Sequence, residues 1–138
     1  MTVHGGMLRL ETTGNGQIVD ITHGVARVLR TAEVDRGVVT VFALGSTVAV
    51  TTMEYEPGGV ADLTELLDRL IPSATPYAHN RLNHDTNAHA HLRAAVIGPS
   101  ETIPIIDGRL VLGTWQQIVL IDFDDRPRQR TVTVQVLS

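Results

Sequence analysis

Four of the six histidines in this chain fall within fifteen residues, His79 to Arg93, in the run HNRLNHDTNAHAHLR. His79, His84, His89 and His91 are interleaved there with Asn80, Asn83, Asp85 and Asn87. Imidazole is the commonest side-chain ligand of borderline metals and the usual proton carrier near neutral pH, so the pattern points to a metal or acid/base site. The plainer alternative is a polar surface connection rich in histidine. A second place where chemistry is possible is Glu54-Tyr55-Glu56. In extended geometry its two carboxylates face one way, as a cation site or general base requires, although a solvated strand end explains them equally well.

Local structure decides which histidines can act together. Asp85 or Asn87 can cap a helix over Ala88 to Ile97, and Gly98-Pro99 is a stop signal. On a helix each residue advances about 100°, so His89 and His91 diverge by roughly 200°. Only an extended segment would make them a chelating pair. The helical reading sets Asn87 and His91 on one face and turns His89 and Arg93 toward another. His91 is the better ligand candidate, with His79 arriving from the preceding loop.

The elements that must position these groups alternate along 138 residues, a length suited to one domain, 1–138, with a sizeable core. Met7–Thr13 has β character, the Gly14-Asn15-Gly16 turn leads to Gln17–Val19, and a helix with the stripe Val25, Val28, Leu29, Ala32 follows. Val38–Leu44 and Thr47–Met53 read as two buried neighbouring strands. Pro57-Gly58-Gly59 reads as a break before a helix with the stripe Val60, Leu63, Leu66, Leu67, Leu70. Beyond the histidine region the pattern is β, with Asp107-Gly108 a strong hairpin signal, then Trp115–Phe123 and the alternating Thr131–Leu137. Strands at both ends with helices between predict an α+β fold with a mainly antiparallel sheet.

Composition removes several functions. No cysteine is present, which excludes thiolate catalysis, disulfides and Cys-type zinc sites. All eleven basic residues are arginine, which excludes Schiff-base chemistry and a P-loop lysine and leaves anions to Arg, backbone amides or a metal. A net charge of −4 with few aromatics suggests no nucleic-acid partner. No apolar run is long enough to span a bilayer and no signal peptide is evident, so the expected location is cytoplasmic, without a membrane partner.

Asn87-Ala88-His89-Ala90-His91-Leu92-Arg93, Gly98-Pro99-Ser100, Asp107-Gly108-Arg109-Leu110 and Leu112-Gly113-Thr114-Trp115-Gln116, in this order, resemble the YjbQ family. It is also called the UPF0047 or secondary thiamine-phosphate synthase family. The resemblance runs over essentially the whole chain and includes Glu54, Asp62, Pro72, Tyr77 and His79. It implies a β-sandwich or barrel-like sheet with two to three helices, a homotrimer with polar pockets between subunits, and a divalent metal, zinc or magnesium. It also implies thiamine-phosphate-synthase-like transfer, in which a pyrimidine-methyl diphosphate joins a thiazole phosphate and diphosphate leaves. On that reading Glu54, His79 and His91 are catalytic, and His79, His91 and His89 are the metal ligands. Arg109, Arg128 and Arg130 hold the phosphorylated ligand with Asn87, while Trp115 and Gln116 shape a flat pocket.

One departure bears on this set. Where the family has His-Thr-Thr after the apolar strand, this chain has Gly45-Ser46-Thr47, and Met53 and Pro57 replace an Asn and an Asp. A histidine is therefore missing, and two remaining ones do not make a strong tetrahedral site. Restoring it with Gly45→His is expected to strengthen metal uptake if the pocket is otherwise family-like. Three readings follow: a metal-assisted transferase, a non-catalytic small-molecule binder that has lost a ligand, or a metal-dependent hydrolase using water as nucleophile.

Overall fold

A computed structural model describes residues 1–138. Two antiparallel sheets form a sandwich. The chain order is β1 (Val3–Thr12), β2 (Gln17–Asp20), α1 (Thr22–Ala32), β3 (Gly37–Ala43), β4 (Val48–Met53), α2 (Pro57–Leu70), α3 (Ala78–Asn83), α4 (Ala88–Ile97), β5 (Ser100–Ile106), β6 (Arg109–Leu110), β7 (Gln117–Asp122) and β8 (Arg128–Leu137). The larger sheet runs β1-β8-β3-β5-β6 and the smaller β2-β7-β4.

β4 and β7 read as near-continuous apolar runs because their sheet is covered on both sides. Val48, Val50, Ile118 and Leu120 face a core shared with Val39, Val41, Val132, Val134 and Val136 of the larger sheet and with Val25 and Leu29 of α1. Ala49, Val119 and Ile121 point the other way, against Leu67 of α2 and Ala90 and Ala94 of α4. Period-2 side-chain alternation produces both surfaces from one strand.

Several local expectations are met with physical detail. The Asp107-Gly108 hairpin has positive φ at both residues, 50° and 70°, as a type I′ turn requires. Asn87 stands at the N-cap position of α4 with its side chain turned to Asp124 and making no capping hydrogen bond, and Gly98 follows the helix end. Other expectations are corrected. β3 and β4 are not hydrogen-bonded neighbours: β3 pairs with β5 and β8, and β4 with β7. The link between them crosses from one sheet to the other, so the two apolar runs meet face to face in the core. Pro57-Gly58-Gly59 is no break but the first turn of α2, with Pro57 at a position where its missing N–H costs nothing. The Glu56 carboxylate accepts from the amides of Gly58 and Gly59 and so serves as cap. A fourth helix, α3, carries His79, which therefore sits on a helix and not in a loop before α4.

Three connections change sheets at one end of the sandwich: β1–β2, β3–β4 and β7–β8. The tightest is Gly14, with φ +75°. A Cβ there would lie 2.5 Å from the Arg126 carbonyl oxygen and 2.6 Å from that of Asp124. Gly14→Ala is therefore expected to destabilise the protein by about 1–3 kcal/mol, whereas Gly16→Ala, with open space around its Cβ, should cost less. Chemical denaturation of both variants checks this ordering.

Candidate functional site

Helix α3 begins where Tyr77, anchored by its hydroxyl on the Pro72 carbonyl at 2.6 Å, ends the loop after α2. Asn80, one residue beyond His79, then links two helices. Its Oδ1 accepts from the Ala88 amide at 3.0 Å, satisfying an orphan donor at the start of α4. The same oxygen lies 3.2 Å from His79 Nδ1. Thus fixed, α3 and α4 bring the rings of His79 and His91 to a centroid separation of 4.7 Å, tilted by 46°. Both side chains are partly exposed. His91 also lines a cavity of about 250 Å³ with Gly45, Ser46, Ala94 and Pro99.

Gly45 has φ +139°, in the β3–β4 crossing. A Cβ there would lie 2.7 Å from Arg130 Nη1 and 3.1 Å from Val48 Cγ1. A histidine at 45 thus requires a changed backbone and a displaced guanidinium, so Gly45→His does not simply rebuild a metal site.

Arg130 is itself buried. Its Nε donates to Asp122 Oδ2 at 2.7 Å, and Nη2 donates to Asp122 Oδ1 at 2.8 Å and Thr47 Oγ1 at 2.7 Å. Thr12 also donates to Asp122. Burial pushes the Asp122 carboxyl up, but the hydrogen bonds from Arg130, Thr12 and the Asp124 amide outweigh it and hold the group below the ordinary carboxylate range. Asp124 behaves in the same way: burial raises it, while Arg128, the Asp125 amide and Asn87 pull it well below that range. The two carboxylates tie the sheet crossings together by accepting from the Thr12 and Thr47 hydroxyls, and the backbone carbonyls of Asp124 and Asp122 accept from the Asn15 and Gly16 amides. Asn87 Nδ2 reaches Asp124 Oδ1 at 3.4 Å, so the start of the helix carrying His91 docks on the same network.

The remaining sequence candidates do not converge on the histidine pair. His89 lies on another side of α4, as helical geometry demands, and lines a different cavity. Its burial first, and the Arg93 charge second, depress its pKa against the opposing Asp125, Asp124 and Asp68. Glu54 follows the last residue of β4 whereas Gly45 precedes the first, a strand length of about 17 Å. Gln116 sits at the Glu54 end, donating from Nε2 to Thr52 Oγ1, and Trp115 beside it is 72% exposed, so neither shapes a pocket at the histidine pair. Arg109 is on the β5–β6 hairpin beside α1. Arg128 pairs with Asp124 at 2.8 Å and keeps partial exposure.

A metal centre is not completed by these residues. His79 and His91 supply two imidazoles at a spacing compatible with one ion, but no group of three or more His, Cys, Asp or Glu side chains gathers anywhere in the chain. Zinc sites use at least three protein donors. The residues that sequence reasoning passed over are Asp122, Asp124, Thr12 and Thr47. A usable signal was the spacing itself: Asp122 and Asp124 against Arg128 and Arg130, each pair two residues apart and placed to face across a turn.

Fold and site together define a class: a two-sheet α+β sandwich in which a helical pair holds two histidines over a sheet crossing. The family model described as "UPF0047 protein YjbQ-like" matches residues 6–138, and the chain belongs to this family. A UPF0047 protein of Archaeoglobus fulgidus is 39% identical over 130 residues, covering 94% of this chain and 98% of that protein. One from Methanothermobacter thermautotrophicus is 37% identical over 136 residues, covering 99% and 93%. Among solved structures, a YbjQ-like protein of unknown function from Sulfolobus solfataricus superposes with a TM-score of 0.90 at 29% identity, over 99% of both chains. A hypothetical protein from Aeropyrum pernix gives 0.90 at 36% identity, over 97% and 98%.

No helix of the structure is long and apolar enough to cross a membrane.

Proposed function

We propose that the cleft at His79 and His91 binds a small phosphorylated molecule. The observation that carries this reading is the approach of the two rings to 4.7 Å from separate helices, beside a cavity walled by Gly45 and Ser46. Imidazole N–H groups and a hydroxyl are suitable donors to phosphate oxygens. Arg130 lies just behind Gly45 with its Nη1 free of hydrogen bonds, while the Asp122 carboxylate balances its charge.

In the transferase version of this reading, taken from the family resemblance, the bound group is a leaving diphosphate. The site then stabilises charge as the C–O bond to that diphosphate breaks and the new C–N bond forms. The resemblance also carries a homotrimer. Exposed Met7 and Phe42 lie on one row of the outer face of the larger sheet, which supports association through that face. Light scattering of the purified protein measures the subunit number.

Calorimetric titration with inorganic diphosphate and with thiamine phosphate tests the binding. We expect saturable binding that weakens at least about tenfold in His91→Ala. Equal binding by His91→Ala, or none by the native protein, overturns the reading. Incubation with the pyrimidine diphosphate and thiazole phosphate separates a transferase, which forms thiamine phosphate, from a binding protein, which does not.

A further inference from the structure

We infer that a second ligand site lies on the other side of α4, in a cavity of about 360 Å³ lined by Asp68, Ser73, Thr86, His89, Arg93 and Asp125, and that it takes a small zwitterion of the α-amino acid type. The site is built rather than incidental. His89 is only 8% exposed, yet neither of its ring nitrogens has a hydrogen-bond partner, and Nδ1 is sealed from solvent. Nε2, the ring nitrogen that is not sealed, is left without a partner where His89 lines the cavity.

Arg93 lies beside it, with 8% of its side chain exposed. Its Nε and Nη2 donate to the Ile71 carbonyl, and Nη2 also donates to Asp68, while Nη1 makes no hydrogen bond. The deep part of the cavity therefore offers a guanidinium N–H and an imidazole. The outer part is acidic: Asp68 is 63% exposed and Asp125 is 27% exposed, the latter accepting from the Thr86 hydroxyl.

The difference in exposure selects the ligand, with Arg93 and His89 buried and the carboxylates of Asp125 and of Asp68, which touches Arg93 Nη2 at 3.1 Å, closer to solvent. A simple anion meets two carboxylates on the way in, and a simple cation meets Arg93 at the base. A metal ion finds too few donors, since no cluster of three or more ligating side chains exists here. A molecule with a carboxylate directed at Arg93 and His89, and an ammonium group near Asp68 and Asp125, matches both ends with charge-assisted hydrogen bonds. The hydroxyls of Ser73 and Thr86 suit a short polar side chain.

The test follows the His89 ring resonances of histidine-labelled protein, located by their loss in His89→Gln, while each standard α-amino acid is added in turn. At least one is expected to shift them saturably. For that amino acid, the analogues lacking the ammonium or the carboxylate should bind at least about tenfold more weakly. Asp68→Asn, at an exposed position, should weaken the amino acid but not its deaminated analogue. His79→Ala should leave the response unchanged, which keeps this site distinguishable from the cleft proposed above. The inference is overturned if no amino acid moves the His89 signals, if a singly charged analogue binds as tightly, or if His79→Ala removes the response.

Discussion

Asp122→Ala is expected to lower folding stability by about 3–5 kcal/mol, the usual cost of leaving one partner of a buried ion pair alone. Asp122 is fully buried and accepts from Arg130 through both oxygens. Its removal strands a guanidinium that is only 8% exposed, at the point where the chain changes sheets three times. Removing both charges, with Asp122→Leu and Arg130→Leu together, should restore part of the loss, because a buried pair pays a desolvation cost that apolar residues avoid. Urea unfolding measures both. A single variant within about 1 kcal/mol of the native protein would show that the crossings hold without the pair.

The same carboxylates set the acid limit of the fold. Their folded-state pKa values lie below the ordinary range, so the folded protein binds fewer protons than the unfolded chain as the pH falls toward that range. The stability they contribute is complete above the unfolded value of 3.8 and is lost as the pH drops through the depressed folded values. His89 acts in the same direction from a higher pH, since its folded pKa is also lowered, from 6.5. The unfolding midpoint should therefore fall modestly below pH 6.5 and steeply below pH 3.8. In Asp122→Asn the steep part should shrink.

The second large effect concerns ligand binding. The double variant His79→Ala, His91→Ala should weaken the binding of inorganic diphosphate by roughly 100-fold or more, because each charged hydrogen bond removed is worth about 1.5–3 kcal/mol. Both rings are partly exposed, so their truncation should leave the unfolding midpoint nearly unchanged. Any tight divalent-metal uptake should vanish in the same variant, because these are the two imidazoles that this chain brings together. Metal content unaltered by the double substitution would place the ion elsewhere.

Much of this was legible before any coordinates. Period-2 and period-3.6 patterns located most of the strands and three of the helices, since local backbone geometry alone decides which side chains share a face. The same reasoning separated His89 from His91, because a helix advances by a fixed angle; the helix that carries His79, and its approach to His91, were not legible. The Asp-Gly hairpin was equally local. What the residues near Glu54, Trp115 and Gln116 would face was not legible, for it depends on which end of β4 meets α4.

The chain by itself determined its antiparallel α+β class and its family likeness, and its lack of lysine and cysteine excluded Schiff-base and thiolate chemistry. Only tertiary structure decided that Arg130 is a buried strut rather than an open phosphate clamp. It also decided that Asp122 and Asp124 close the sheet crossings, and that Gly45 stands where a guanidinium has taken the space of a side chain. The physical reason is that burial and charge pairing are set by segments distant in sequence. The same Arg or Asp at a strand end is a solvated surface group or the most costly residue to remove, according to what packs across from it.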